Sequence, residues 1–186
     1  VYKDLKAEVE ATPRFFDTLE EQLSTEVLGP LLREHTFAQQ HGVRGIVPLG
    51  LYLDVVPFLK RDSVLGFWII NMATTKRHLA LVVRKRQTCR CGCQGWCTLF
   101  AAFEYLRWIA ATMVSGTFPN QKHDGSPWAA GDPNKALGGS PLGFRACVLM
   151  VKGDWSEFAN TLAYPTWASH KHPCFACSCT SGPGGD

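Results

Sequence analysis

Cysteine is the residue type in this chain that is most clearly arranged for chemistry. Seven of the eight cysteines fall in two tight groups, which are Cys89, Cys91, Cys93 and Cys97, and Cys174, Cys177 and Cys179. Secreted disulfide frameworks usually spread their cysteines more evenly, whereas close spacing with no secretion signal favours metal binding in a reducing compartment. We therefore predict structural Zn²⁺ at one or both groups.

The ligand set within each group stays open. The first group offers four thiols within nine residues, and Gly92 and Gly95 suit the sharp turns of a metal loop, but cysteines two residues apart crowd each other, so one ligand can come from elsewhere. A single site shared by both groups, or a set of free or redox-active thiols, are the alternatives. The candidate ligands of the second group are Cys174, Cys177, Cys179, His170 and His172.

Two aspartates form a second candidate site. Asp54 lies in an apolar strand, where an unpaired carboxylate is costly to desolvate, and Asp154 follows an apolar run that ends at Val151. Two close carboxylates repel each other unless they share a proton or a cation. Mg²⁺ or Mn²⁺ prefers such oxygen ligands, and a metal held in this way activates water for phosphoryl transfer.

Each carboxylate also has a simpler interpretation. Asp54 can belong to a turn before Pro57, and Asp154 can cap the helix that follows it. Asp62 is predicted to be an exposed turn carboxylate between two strands, and Glu157 lies one helical turn after Asp154, within reach of the same site. The pair is interpreted as a metal site because of the strand order around it.

The first elements that must position these residues are three strands. Apolar runs rich in β-forming residues predict strands at residues 46–56, 64–72 and 78–85. The links between them are short, so we expect antiparallel pairing.

The second half of the fold is predicted to be a helix, a strand and a helix. The first helix spans residues 98–115, with Thr98 as its cap and Gly116 as its stop. A continuous apolar run predicts a strand over residues 144–151 that is buried on both faces, and a short helix follows over residues 155–162. The helical crossover permits this strand to lie parallel to the first strand, so that the two aspartates meet at the carboxyl ends of neighbours, where open α/β sheets place their active sites.

The chain is predicted to contain one main domain with an N-terminal addition. Residues 1–43 read as an acidic helical segment, and residues 44–179 as an α/β core. Residues 116–143 form an irregular insertion and residues 180–186 a flexible tail, and both chain ends are expected to be cut points in a longer protein. The helix-breaking residues of the N-terminal segment are Pro13, Gly29 and Pro30.

Two apolar features have structural interpretations. Cys147 stands alone in an apolar run and is predicted to be a small core residue. The apolar stretch at residues 99–114 contains Glu104 and Arg107, so it is not predicted to span a membrane. The six tryptophans are interpreted as packing residues rather than as platforms for stacking bases.

Charge is unevenly distributed along the chain, although the formal net charge is only +3. Residues 1–43 carry four Lys/Arg against eight Asp/Glu, residues 44–107 carry ten against three, and residues 108–186 carry five against five. The basic middle third is predicted to face a phosphate backbone, with a solvated hairpin rim as the alternative. Its candidate phosphate contacts are Lys60, Arg61, Lys76, Arg77, Arg84, Lys85, Arg86 and Arg90.

Short segments of the chain resemble a known protein family. The sequence LYLDVVPF at residues 51–58, followed by Trp68 and Asn71, resembles the first catalytic block of CACTA-like transposases, which are large plant-type cut-and-paste enzymes. The sequence KGDW at residues 152–155, followed by PCFAC at residues 173–177, is similar to the second block of that family.

The resemblance implies an RNase H-like mixed sheet and a nuclear enzyme that cuts and joins DNA with an acidic triad and divalent metal. It implies that Asp54 and Asp154 are the first two catalytic acids, and that the third acid lies beyond residue 179. The chain departs from the family at Val55, where the family usually has glycine, and in the cysteines of residues 89–97.

Three functions are consistent with these patterns. The first is a metal-dependent DNA cleavage and strand-transfer domain of a transposase, incomplete in this chain. The second is a non-catalytic, zinc-stabilised module that binds nucleic acid or protein, which needs the cysteines and the basic surface but neither aspartate. The third is a redox or metal-handling protein that uses the cysteine loops.

Overall fold

Four strands form a mixed sheet at the centre of the molecule. The computed structural model describes residues 1–24, 28–60, 62–93 and 95–165. Within this part of the chain the fold is α/β, as predicted. The strands are β1 Ile46–Leu59, β2 Asp62–Asn71, β3 Arg77–Arg84 and β4 Arg145–Lys152.

The strand order is β3-β2-β1-β4. Tight turns join the first three strands, so β1 pairs antiparallel with β2, and β2 pairs antiparallel with β3. β4 pairs parallel with β1, as the helical crossover before it requires. The antiparallel links and the parallel neighbour predicted from the sequence are both confirmed.

Helix α5, Trp96–Ser115, makes the crossover between β3 and β4. Its buried residues include Leu99 and Leu106, which pack against Phe67 of the sheet. The predicted cap was wrong, because α5 begins two residues earlier, after Gly95, and the Thr98 hydroxyl instead accepts a hydrogen bond from the backbone N–H of Cys89 at 3.0 Å. Gly116 ends the helix in the left-handed conformation, as predicted.

Helix α5 also has the length and apolar composition of a membrane-spanning helix, and it is the one helix in the described residues that does. A helix that covers a sheet needs the same apolar content, because one side of it is buried. Ile109 and Met113, each 1% exposed, lie in the core shared with β1 and β4.

The burial on both faces that was predicted for the fourth strand holds only near its start, where the neighbouring residues Ala146 and Cys147 are both buried. β4 lies at an edge of the sheet within the described residues, and its last two residues, Val151 and Lys152, are exposed. The apolar run predicts the strand correctly, but its residues are only partly buried from Val148 onward. A continuous apolar run therefore identified the strand without identifying what packs on it.

In the described part of residues 1–43, four helices precede the sheet, as the helical spacing of that segment predicts. They are α1 Tyr2–Ala11, α2 Phe15–Leu23, α3 Leu28–Glu34 and α4 Thr36–His41. Leu5, Leu19 and Leu32 are at most 1% exposed and belong to the same core cluster as Ile46 and Leu49 of β1. The N-terminal helices and the sheet therefore stabilise one common core.

The predicted helix breaks and insertion differ in detail from the structure. Gly29 and Pro30 lie in the first turn of α3 rather than between helices, a position where proline is tolerated. Residues 116–143 contain the short helix α6, Pro133–Leu137, and two isolated bridges. The last described helix is α7, Trp155–Asn160, which follows β4.

A buried polar network joins α1 to the hairpin of β2 and β3. The side chains of Glu8 and His78 are 4% and 6% exposed, and Glu8 Oε2 lies 2.5 Å from His78 Nε2. The other oxygen of Glu8 accepts hydrogen bonds from Asn71 Nδ2 at 3.1 Å and from the hydroxyl of Thr74. Sequence patterns gave no sign of this network, because its members are far apart in the chain.

We expect Glu8→Ala to lower the free energy of unfolding by about 3–5 kcal/mol, because it leaves His78 and Asn71 buried without their acceptor. Glu10→Ala is the matched control, since Glu10 lies on the same helix in an exposed pair with Lys6. Its cost should be below about 1 kcal/mol. Urea denaturation measures both, and equal losses for the two variants would contradict the role assigned to the network.

Candidate functional site

The parallel pairing of β1 and β4 ends two residues before each of the two candidate aspartates. Tyr52 of β1 is the partner of Lys152 of β4, the last residue of that strand. Asp54 lies two residues beyond Tyr52, and Asp154 two residues beyond Lys152. Both carboxylates therefore belong to the carboxyl-terminal side of one parallel strand pair.

The turn after β4 lies close against β1. A Cβ atom at Gly153 would stand only 3.2 Å from the carbonyl oxygen of Leu53, so a side chain there would force the turn away from the strand. Gly153 thereby keeps Asp154 beside the part of β1 that carries Asp54. This close approach explains physically why glycine precedes the second aspartate.

Aromatic side chains surround Asp54, which is half-buried. The Tyr52 hydroxyl donates a hydrogen bond to Asp54 Oδ2 at 2.9 Å. Across the strand pair Asp54 faces Gly66, and the indole of Trp68 fills the space over Gly66, within 2.1 Å of where a Cβ would stand. The rings of Tyr52 and Trp68 are 5.6 Å apart, and the Arg77 guanidinium lies 5.2 Å from the Tyr52 ring centre.

Both aspartates raise the pKa of the Tyr52 hydroxyl. The pKa of Tyr52 is raised, first by its hydrogen bond to Asp54, then by burial and by the Asp54 charge, and further by the charge of Asp154, while Arg77 acts in the opposite direction. The Tyr52 hydroxyl therefore keeps its proton and donates a hydrogen bond to the Asp54 carboxylate. Tyr52 was not selected from the sequence, although its spacing of two from Asp54 on a strand places both side chains on one face.

The structure confirms the helix-cap interpretation of Asp154. Asp154 Oδ1 accepts hydrogen bonds from the Glu157 N–H at 2.7 Å and from the Ser156 hydroxyl at 2.9 Å, at the start of α7. The pKa of Asp154 is lowered, first by that N–H, then by Ser156, and also by the charge of Lys85. Glu157 itself is buried and accepts a hydrogen bond from Thr161 at 2.9 Å.

The prediction that Asp62 is exposed was wrong. Its side chain is 6% exposed, and its Oδ2 lies 2.8 Å from Arg84 Nη2 and 3.3 Å from Arg86 Nε. Asp62 is the first residue of β2, where the hairpin brings it beside the end of β3. A desolvated carboxylate needs such cationic partners, and the sequence did not show that Arg84 at the end of β3 and Arg86 just beyond it supply them.

The first cysteine group forms a compact cluster in the loop before α5. The four sulfur atoms all lie within 4.8 Å of one another, and Cys91 Sγ and Cys97 Sγ are 3.8 Å apart. A tetrahedral Zn²⁺ site with Zn–S bonds of about 2.3 Å requires sulfur separations of about 3.8 Å. The cluster, which comprises Cys89, Cys91, Cys93 and Cys97, is therefore compatible with a structural zinc site.

Local backbone geometry brings these four sulfur atoms together. Gly92 and Gly95 have φ angles of +93° and +86°, a region that other residues rarely adopt, and they reverse the chain on either side of Cys93. The Cys97 N–H, in the first turn of α5, donates to Cys93 Sγ at 3.4 Å. This contact is the first cause that lowers the pKa of Cys93 to about 6, whereas the neighbouring thiols, Cys93 first, raise the pKa of Cys97 to about 12.

Several predicted ligands lie outside the described residues. These are His170, His172, Cys174, Cys177 and Cys179 of the second cysteine group. Cys147 is buried in the core, as predicted, and burial raises the pKa of its thiol to about 11.

Four of the predicted phosphate contacts line one cavity of about 490 Å³, which we call the basic pocket. Its walls are the tip of the hairpin between β1 and β2 and the segment that follows β3. The remaining wall residues include Ser63 and Asp62. The four cationic residues are Lys60, Lys85, Arg86 and Arg90.

The other predicted phosphate contacts are dispersed. Arg84 is paired with Asp62 beside the basic pocket. Lys76 and Arg77 lie where β3 begins, at the opposite end of the hairpin, and Arg77 reaches the ring of Tyr52. Arg61 lies outside the described residues.

Comparisons with known proteins found no matching family model, no similar curated protein and no similar solved structure.

Removal of one thiol tests the zinc site. We expect Cys91→Ser to lower the zinc content of the purified protein by about one equivalent, because a structural zinc site needs four protein ligands. Cys147→Ala is the matched control, since it removes a thiol from the core and should leave the zinc content unchanged. Mass spectrometry of the native protein and elemental analysis measure the stoichiometry, and a zinc content that is equal in both variants would exclude the cluster as a ligand set.

Proposed function

We propose that this chain carries an RNase H-like core of a transposase type, which performs divalent-metal-dependent phosphoryl transfer on DNA with Asp54 and Asp154 as metal-binding acids. The observation that supports the proposal is the parallel register of β1 and β4, whose last pair, Tyr52 and Lys152, lies two residues before each aspartate. The strand order, with three antiparallel strands followed by a helix and a parallel strand, supports the same fold.

The chemistry of the donors fits Mg²⁺ or Mn²⁺. Asp154 uses Oδ1 to cap α7, and Asp54 uses Oδ2 to accept the Tyr52 hydroxyl, so each carboxylate has one oxygen that takes no part in these contacts. A bound divalent ion would supply a polarised water and charge neutralisation for phosphoryl transfer. Tyr52 and the α7 N-terminus orient the two carboxylates for this role.

The electrostatics at this edge favour an anionic substrate. The pKa of Asp154 is lowered in part by Lys85, which also lines the basic pocket. Lys85 of the pocket and Asp154 therefore lie within electrostatic range of each other. A nucleic-acid backbone held by the cations of the pocket would pass beside the proposed metal site.

Isosteric substitution separates metal binding from helix capping. Asparagine caps helices as well as aspartate does, so Asp154→Asn keeps α7 but removes the charge that a divalent ion needs. We expect Asp154→Asn and Asp54→Asn each to weaken Mn²⁺ binding at least about tenfold, equivalent to about 1.4 kcal/mol. The decrease of the free Mn²⁺ signal in electron paramagnetic resonance measures binding, with the cysteines loaded with Zn²⁺ beforehand.

The control for these variants is Asp124→Asn. Asp124 is exposed in a turn, where it binds only Ser126 among the described contacts. Its substitution should leave the Mn²⁺ affinity unchanged. If Asp54→Asn and Asp154→Asn bind Mn²⁺ as the wild type does, the proposed catalytic site is wrong and Asp154 is a helix cap alone.

One observation favours a second candidate function. The cysteine cluster and the basic pocket adjoin each other without either aspartate, since Arg90 lies between Cys89 and Cys91 and also lines the pocket. A non-catalytic zinc-stabilised module that binds nucleic acid would need only these parts. DNA binding that survives in both asparagine variants, together with unchanged Mn²⁺ affinity, would favour this module.

A further inference from the structure

We propose that the basic pocket binds a phosphate group of a nucleic-acid backbone, and that metal in the cysteine cluster orders the pocket by holding Arg90 in its wall. This inference rests on the proposed nucleic-acid substrate but does not require the two aspartates. It makes the zinc site a determinant of DNA affinity as well as a support for the fold.

The charge of the pocket suits a phosphate. Lys60, Lys85, Arg86 and Arg90 bring four positive charges to a cavity of about 490 Å³. Asp62 contributes the one negative charge among the residues that line the pocket. The Ser63 hydroxyl adds a neutral donor to the same wall. A cavity with this excess of cations attracts a tetrahedral anion and takes in one backbone phosphate with room for the adjoining sugars.

One wall of the pocket is already fixed by the sheet. The Asp62 side chain is buried at the start of β2, and its Oδ2 forms ion pairs with both Arg84 and Arg86. The Arg86 guanidinium is therefore oriented before any ligand arrives. A guanidinium has five donor N–H groups, so the contact through Nε leaves Arg86 with donors to offer a phosphate.

The part of the pocket wall that contains Arg90 depends on the cysteine loop. Cys91 and Gly92 are exposed. The loop residues from Cys89 to Cys93 belong neither to the core around Leu49 nor to the core around Phe67. A loop without its own core is ordered by its metal, because the binding free energy replaces buried apolar area. Arg90 stands between two of the ligands, so the position of its backbone is set when Zn²⁺ binds Cys89 and Cys91.

Binding of fluorescein-labelled duplex DNA, followed by anisotropy, tests this coupling. We expect Arg90→Ala in the zinc-loaded protein to weaken binding about tenfold and to reduce the slope of log affinity against log salt by about 1. Introduced into the wild-type protein, Cys91→Ser should weaken DNA binding by a similar factor. Introduced into the Arg90→Ala variant, it should have little further effect, because both changes remove the same contact. Arg107→Ala is the control, since Arg107 is exposed on α5 and paired with Glu104.

Three outcomes would overturn the inference. The first is wild-type affinity in Cys91→Ser while its circular dichroism is unchanged. The second is an equal loss from Cys91→Ser in both backgrounds, which would place the effect of the metal elsewhere. The third concerns the source of the phosphate: displacement of the DNA by inorganic phosphate at matched ionic strength would assign the pocket to free phosphate.

The double variant Asp54→Asn, Asp154→Asn keeps this test separate from the proposed function. It should retain DNA binding that depends on Arg90 and on the cluster even if neither aspartate binds Mn²⁺. Loss of the coupling with Mn²⁺ binding intact would overturn this inference alone, and loss of Mn²⁺ binding with the coupling intact would overturn the catalytic proposal alone.

Discussion

Parallel strands can pair only when the chain crosses from one end of the sheet back to the other, and α5 makes that crossing between β3 and β4. The candidate site depends on this pairing. The pairing ends two residues before Asp54 and Asp154, and Gly153 lets the turn after β4 lie close against β1. The hairpin tip, the end of β3 and the cysteine loop meet near the same edge because antiparallel β2 and β3 return there.

Buried charge in this fold is matched by partners that come from distant elements. Glu8 of α1 meets His78 of β3, and Asp62 of β2 meets Arg84 at the end of β3. Pairs of this kind add little net free energy, but the loss of one member leaves the other buried without compensation. They specify how α1 sits on the sheet and how the basic side chains are presented at the pocket.

The cysteine cluster and the hydrophobic core order the chain by different means. The core buries Leu49 of β1 with Leu5 and Leu19 of the N-terminal helices. Cys91 and Cys97 of the loop before α5 are exposed, and the geometry of the four thiols is compatible with a metal that would help to order this segment. A metal bound there would let the loop between β3 and α5 present a charged side chain without a core beneath it.

Local sequence patterns were sufficient to predict most elements of this protein: the strands from their apolar runs, α5 from its helical spacing, and the cysteine cluster from a pattern only nine residues long. These signals are local, because neighbours in the chain supply both the pattern and the structure. The tertiary structure alone decided that Asp62 is buried between arginines, that Glu8 and His78 meet, that Tyr52 contacts Asp54 and that β4 is an edge strand. Those outcomes depend on which elements pack together and which faces they leave uncovered, and no short stretch of sequence carries that information.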